Sequence, residues 1–110
     1  MIIDQEGNTS IITQEKATII ELVKKLEALY PKFKNHNIII KLSSLGNISI
    51  QDVTEFLRLS KNHRAAKQSF VVVTTALNTT ETPDEIIIVP TLKEAFDIIE
   101  MEDMERDLGL

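Results

Sequence analysis

The chain of 110 residues contains no cysteine, which removes disulfides, thiolate nucleophiles, iron–sulfur clusters and cysteine-bound zinc from consideration. It has no tryptophan and only 5% aromatic residues, so its core has to be built mainly from Ile, Leu and Val. No apolar run approaches the roughly 18 to 20 residues needed for a membrane span. The opening residues, "MIIDQEGNTS", show neither a basic region nor a long apolar stretch. No secretory signal is expected, and a cytoplasmic protein is the default. In that setting the Asn-x-Ser/Thr triplets at Asn8, Asn47 and Asn78 carry no glycosylation meaning.

Several chemical signatures are also missing. There is no GxGxxG and no GxxxxGK[ST] pattern to cradle a nucleotide phosphate, and no GxSxG elbow to activate a serine. The two histidines, His36 and His63, stand among polar, turn-like or helix-terminal residues and are expected on the surface. Glu81, Asp84 and Glu85 are all carboxylates, but their spacing matches no cation loop and a solvated loop is expected. Catalysis, a metal and a cofactor are therefore not expected.

What the chain does have is a length that fits one domain and 43% apolar residues, enough for one core that buries roughly two-thirds of the unfolded surface. Its net charge of -5 argues against broad affinity for nucleic acid or an anionic membrane. The charge is unevenly spread. Residues 1–80 hold 10 basic and 7 acidic side chains, net +3, whereas residues 81–110 hold 2 and 10, net -8. Such an acidic segment forms either a solvated helix face or a surface that steers a basic partner.

Met1 to Asp4 and Ser10 to Thr13, separated by the turn-like Gln5 to Thr9, predict a β-hairpin. From Glu15 to Tyr30, apolar residues recur at helical spacing, and Pro31 predicts a stop near Tyr30. "NIIIKL", "SFVVVTT" and "EIIIV" are continuous apolar runs, as expected of strands covered on both faces. Between the first two, Ile50 to Ala66 has helical spacing through Ile50, Val53, Phe56, Leu57 and Ser60. Thr91 and Glu94 form a capping box for a last helix directing Leu92, Ala95, Phe96, Ile98 and Ile99 inward. The order β-β-α-β-α-β-β-α predicts one α/β domain over residues 1–110 with a mixed sheet, right-handed crossovers and an acidic helical tail over 101–110.

The strand "NIIIKLSSL", the following "SIQDVTEFLRLSKNHRAAKQSFVVV" and the final "VPTLKEAFDII" resemble STAS domains of the anti-sigma factor antagonist type. The resemblance runs from about Ile11 to Ile99 and rests on pattern more than identity. In that family an apolar strand ends in Asp-Leu-Ser, and Asp-Ser-Ser/Thr-Gly opens the next helix. The closing helix often begins Thr-Leu/Ser-x-Glu-Ala, as Thr91 to Ala95 does. Such domains bind a partner, and a phosphate at the helix start, adding roughly two negative charges, releases it.

Anchoring Leu42-Ser43 on the family's Leu-Ser puts Lys41 at its Asp, Ser49 at the motif Asp, Ile50 at the first Ser, Gln51 at the phosphoacceptor and Asp52 at the Gly. The acceptor is missing on this register, and Ser49 could be phosphorylated only if the loop were two residues shorter. Otherwise Ser49 is an N-cap, and Asp52 and Glu55 complement the helix dipole. The family's helix between its last two strands is replaced by "ALNTTETPD", which favours a loop or single turn.

The resemblance implies a non-catalytic domain that binds a protein, an anti-sigma factor or a kinase-like regulator, through Ser43, Ser44, Gly46, Asn47, Ser49, Gln51, Asp52, Glu55 and Phe56. A small-ligand module for a nucleotide or lipid is a second possibility, motivated by the polar loop after a central strand. A third is an accessory subunit of an enzyme, docked through Ile98, Met101, Met104 and Leu108, although packing of these residues on their own domain is the simpler expectation. Arg58, Lys61, His63, Arg64 and Lys67 either complement a helix dipole or form a patch for an acidic surface.

Overall fold

The computed structural model describes residues 2–14, 18–42, 50–75 and 86–109, and among them are five strands and four helices. The strands are β1 (Ile2–Glu6), β2 (Thr9–Thr13), β3 (Asn37–Lys41), β4 (Phe70–Val73) and β5 (Ile87–Val89). The helices are α1 (Ile19–Phe33), α2 (Ile50–Thr54), α3 (Leu57–Ala65) and α4 (Leu92–Asp107). They form a single α/β domain around a mixed five-stranded sheet of order β1-β2-β3-β4-β5.

Strands β1 and β2 are antiparallel, with Glu6 facing Thr9, so the hairpin turn is only Gly7-Asn8. Gly7 has φ of 57°, a conformation a side chain would resist. The strands are thus longer than the apolar runs predict, because this two-residue turn lets Gln5 and Glu6 join the ladder.

The remaining strands are parallel. Their register aligns Ile12, Ile40, Val72 and Ile88 in one row and Ile11, Ile39, Val71 and Ile87 in the next. The pleat sends these rows to opposite faces. The first row packs with α1, α2 and α3, and the second with Ala95 and Ile99 of α4. Helices on both faces explain why the central runs are continuously apolar.

Thr18 caps α1, its Oγ1 accepting from the Glu21 N–H at 3.2 Å. The Thr18-x-x-Glu21 pattern was the available signal for this start, four residues after Glu15. At the other end the helix passes through Pro31 to Phe33, beyond the expected stop at Tyr30. Pro31 sits in the last turn and, having no N–H, cannot donate the regular helical bond to the Glu27 carbonyl, which lies on the exposed side. Burial of Phe33, worth about 1.5 to 3 kcal/mol, offsets that loss.

The single helix expected over Ile50 to Ala66 is broken. The Phe56 N–H bonds to Val53 C=O at 3.0 Å, a tight turn between α2 and α3. Thr54 Oγ1 donates to Gln51 C=O at 2.7 Å and competes with regular helix. The turn lets Val53, Phe56, Leu59, Ser60 and His63 all face inward.

Among the described residues no helix is long and apolar enough to cross a membrane.

Candidate functional site

The parallel strands deliver their carboxyl ends to one side of the domain, where β2 finishes beside Gln14, β3 beside Leu42 and β4 beside Thr74. Gln14 N–H bonds to Lys41 C=O at 3.2 Å and Leu42 N–H to Val73 C=O at 2.8 Å, so the ladders run to these positions. Gln14 is 1% exposed, yet its Oε1 has no hydrogen-bond partner among the described residues. A buried carbonyl oxygen in that state is a local cost of about 1 to 3 kcal/mol. It lies at the end of the sheet from which the sequence-predicted site departs.

Of the predicted contact residues, Ser43, Ser44, Gly46, Asn47 and Ser49 lie outside the described residues, and so does the proposed N-cap. Gln51 and Glu55 are exposed and Asp52 is half-buried on α2. Phe56 is a correction. It is fully buried, with its ring 6.2 Å from that of Phe70, and it acts as an anchor under α2 rather than a contact on it. Its helical spacing with Val53 and Ser60 was the signal for this inward position, and the turn at Glu55-Phe56 keeps it in the core.

The strand order proceeds from β1 to β5 without reversal. Nucleotide-binding sheets of the doubly wound type open a crevice where the order reverses, a feature this sheet lacks. Among the described residues, no group of three or more His, Asp or Glu side chains is placed to hold a metal ion. Glu81, Asp84 and Glu85 and the segment "ALNTTETPD" fall outside them.

The most developed polar cluster among the described residues is at the opposite, amino ends of the strands, where the sequence suggested only a cationic patch that includes His63 and Arg64. His63 is 0% exposed, contrary to the surface position expected. Its Nε2 donates to His36 C=O at 2.6 Å, which leaves Nδ1 as the acceptor for Tyr30 Oη at 2.8 Å. Burial is the main cause that lowers the His63 pKa, with the Arg106 charge adding to it and the bond to His36 opposing it. Desolvation raises that of Tyr30. His36 is half-buried, and its Nδ1 shares a 3.1 Å bond with Ser10 Oγ. The late helical position of His63, ten residues after Val53, was the signal: it continues the inward stripe Val53, Phe56, Leu59, Ser60.

On the α4 side, Asn37 Oδ1 accepts the Ser69 N–H at 2.8 Å, and Ser69 Oγ donates to Glu102 Oε1 at 2.5 Å. Arg106 reaches Ser69 Oγ at 3.0 Å and pairs with Asp103, while Arg64 bridges from α3 to Glu102 at 2.8 Å. The expected cationic patch is thus divided. Arg58 and Lys61 are exposed, His63 is internal and Arg64 is committed to Glu102. Lys67 takes φ of 65° just past α3, where its N–H bonds to Arg64 C=O and that of Gln68 to His63 C=O. This is the left-handed helix ending that usually uses Gly. The bonds of Tyr30, His63, Asn37, Ser69, Glu102 and Arg106 join α1, α3 and α4 to one another and to the starts of β3 and β4, which is structural work.

No protein-family model matches the chain, and no curated protein matches it significantly.

Proposed function

We propose that this chain is a non-catalytic binding domain of STAS-like type that recognises another protein through the strand-loop-helix surface around residues 43–56. The observation that carries the proposal is the build of α2. Val53 and Phe56 fix it to the core from below while Gln51 and Glu55 stand in solvent at the carboxyl end of β3. A rigid anchor beneath an exposed polar rim favours recognition, since little side-chain or backbone freedom is lost on binding.

The ββαβαββα order with its N-terminal hairpin is consistent with the resemblance noted in the sequence, and Gln51 occupies the position where that resemblance puts a phosphoacceptor. An amide cannot accept a phosphate there, so the contact surface is retained without its switch. Asp52 and Glu55 supply acidic character in place of an added phosphate. The partner would be an anti-sigma factor or kinase-like regulator.

Capture of the tagged protein from its own cells, with mass spectrometry of the bound proteins and of the bait, is the test. One reproducible partner is expected, with no phosphate on Ser49. Ser49→Arg and Gln51→Arg should each weaken that complex while the circular dichroism spectrum stays that of the folded protein, with a small loss of stability allowed for Ser49→Arg as the cap is removed. Intact binding in both variants overturns the proposed surface, and phosphate on Ser49 restores the switch and corrects the register.

A further inference from the structure

Helix α4 has two faces with the same spacing and different fates. Ala95, Ile99, Glu102 and Arg106 face the sheet and its polar amino end. Rotated by about half a turn of the helix, Asp97, Met101, Met104 and Leu108 face solvent. Met101 is 51% exposed, Met104 59% and Leu108 72%, contrary to the expectation that these side chains pack on their own domain. Self-packing is prevented because Glu102 and Arg106 claim the inward side, turning the intervening apolar residues out. Together with Glu100 and Glu105, the outward residues line a shallow groove of about 320 Å³.

We propose that this face docks a basic amphipathic helix of another protein, one with apolar residues at i, i+3, i+4 and i+7 flanked by Lys or Arg. Charge complementarity selects this occupant. Residues 92–107 contain seven acidic and two basic side chains, net -5, and Asp97, Glu100 and Glu105 rim the apolar stripe itself. A second copy would bring two acidic rims together, and nucleic acid would be repelled. A ridge of leucines between lysines satisfies stripe and rim together. Two methionines suit the stripe, since their unbranched, polarizable side chains repack around differing apolar partners.

This surface is separate from that on α2, so the two proposals stand or fall independently. The test titrates the full chain, carrying 13C-labelled methionine methyls, with a synthetic peptide of Leu at those positions and Lys beside them. A counterpart with Glu replacing Lys is the control. The Lys peptide should shift the Met101 and Met104 signals and bind at least about tenfold more tightly than the Glu peptide, weakening as salt is raised to about 0.5 M and the Debye length contracts. The double variant Met101→Ser/Met104→Ser should keep its circular dichroism spectrum and lose about tenfold or more in affinity. Equal affinity for the two peptides, an absence of methyl shifts, or indifference to the double substitution overturns the proposal. Concentration-dependent dimerisation of the peptide-free protein, lost in the double variant, overturns it in favour of a second copy.

Discussion

The parallel strands meet two different environments at their two ends. At the amino ends, Tyr30, Asn37, Ser69, His63, Arg64, Glu102 and Arg106 exchange hydrogen bonds that join three helices to β3 and β4. At the carboxyl ends, Gln14 keeps a buried oxygen with no partner among the described residues, and Gln51 and Glu55 stand in water. Polar groups at the first end are spent on holding the fold. Of those at the second, Gln51 and Glu55 face water, and the carboxyl end of parallel strands is a common place for recognition in α/β sheets. Composition does not separate the two ends, since Ser, Asn and charged residues occur at both; the bonding of each group does.

The largest effect separating the ends should come from His63→Ala, which empties a fully buried site and strips partners from Tyr30 Oη and His36 C=O. A loss of about 3 kcal/mol is expected in urea unfolding. The same residue predicts a pH effect. An unfolded chain takes up this proton near the ordinary value of 6.5, whereas burial keeps the folded imidazole neutral to lower pH. Between those values the unfolded state binds more protons, so stability falls as pH drops below 6.5. Wild type should lose more stability than His63→Phe between neutral and mildly acidic pH; parallel losses would show that burial of His63 contributes nothing to the dependence.

A smaller gain is expected from Lys67→Gly, which relieves a left-handed backbone at the end of α3 and should raise stability by about 1 kcal/mol. No gain would mean the Lys side chain compensates. The smallest effect is assigned to the carboxyl end. Gln14→Met keeps the volume and removes the unpaired oxygen, and should cost nothing or add up to about 1 kcal/mol. A loss comparable to that of His63→Ala would erase the contrast between the ends.

How much was legible in the sequence follows the physics of each element. The strands β3 and β4 were readable because a strand covered on both faces cannot tolerate polar interruption, and "NIIIK" and "FVVV" have none. The Thr91 cap of α4 was readable because a capping box is local, and Thr91 Oγ1 does accept the Glu94 N–H at 3.2 Å. The break between α2 and α3 was not, since it depends on Phe56 reaching Phe70, a strand away. Five of the nine predicted contact residues belong to 43–49, so the described residues include only Gln51, Asp52, Glu55 and Phe56 of the set, of which Phe56 moved to the core.

The sequence by itself determined the element order, the hairpin turn at Gly7 and the two-sided burial of the central strands, because these follow from backbone conformation and apolar periodicity over neighbouring residues. Only the tertiary structure decided that His63 is internal, that Phe33 and Phe56 anchor helices past apparent breaks, and that Met101, Met104 and Leu108 face outward. Each of those outcomes depends on partners far away in the chain: Tyr30 and His36 for His63, Phe70 for Phe56, and Arg64 and Ser69 for the orientation of α4. A polar or apolar residue in a helix reveals its period but not which of two faces will find bonds, and that choice belongs to the packed molecule.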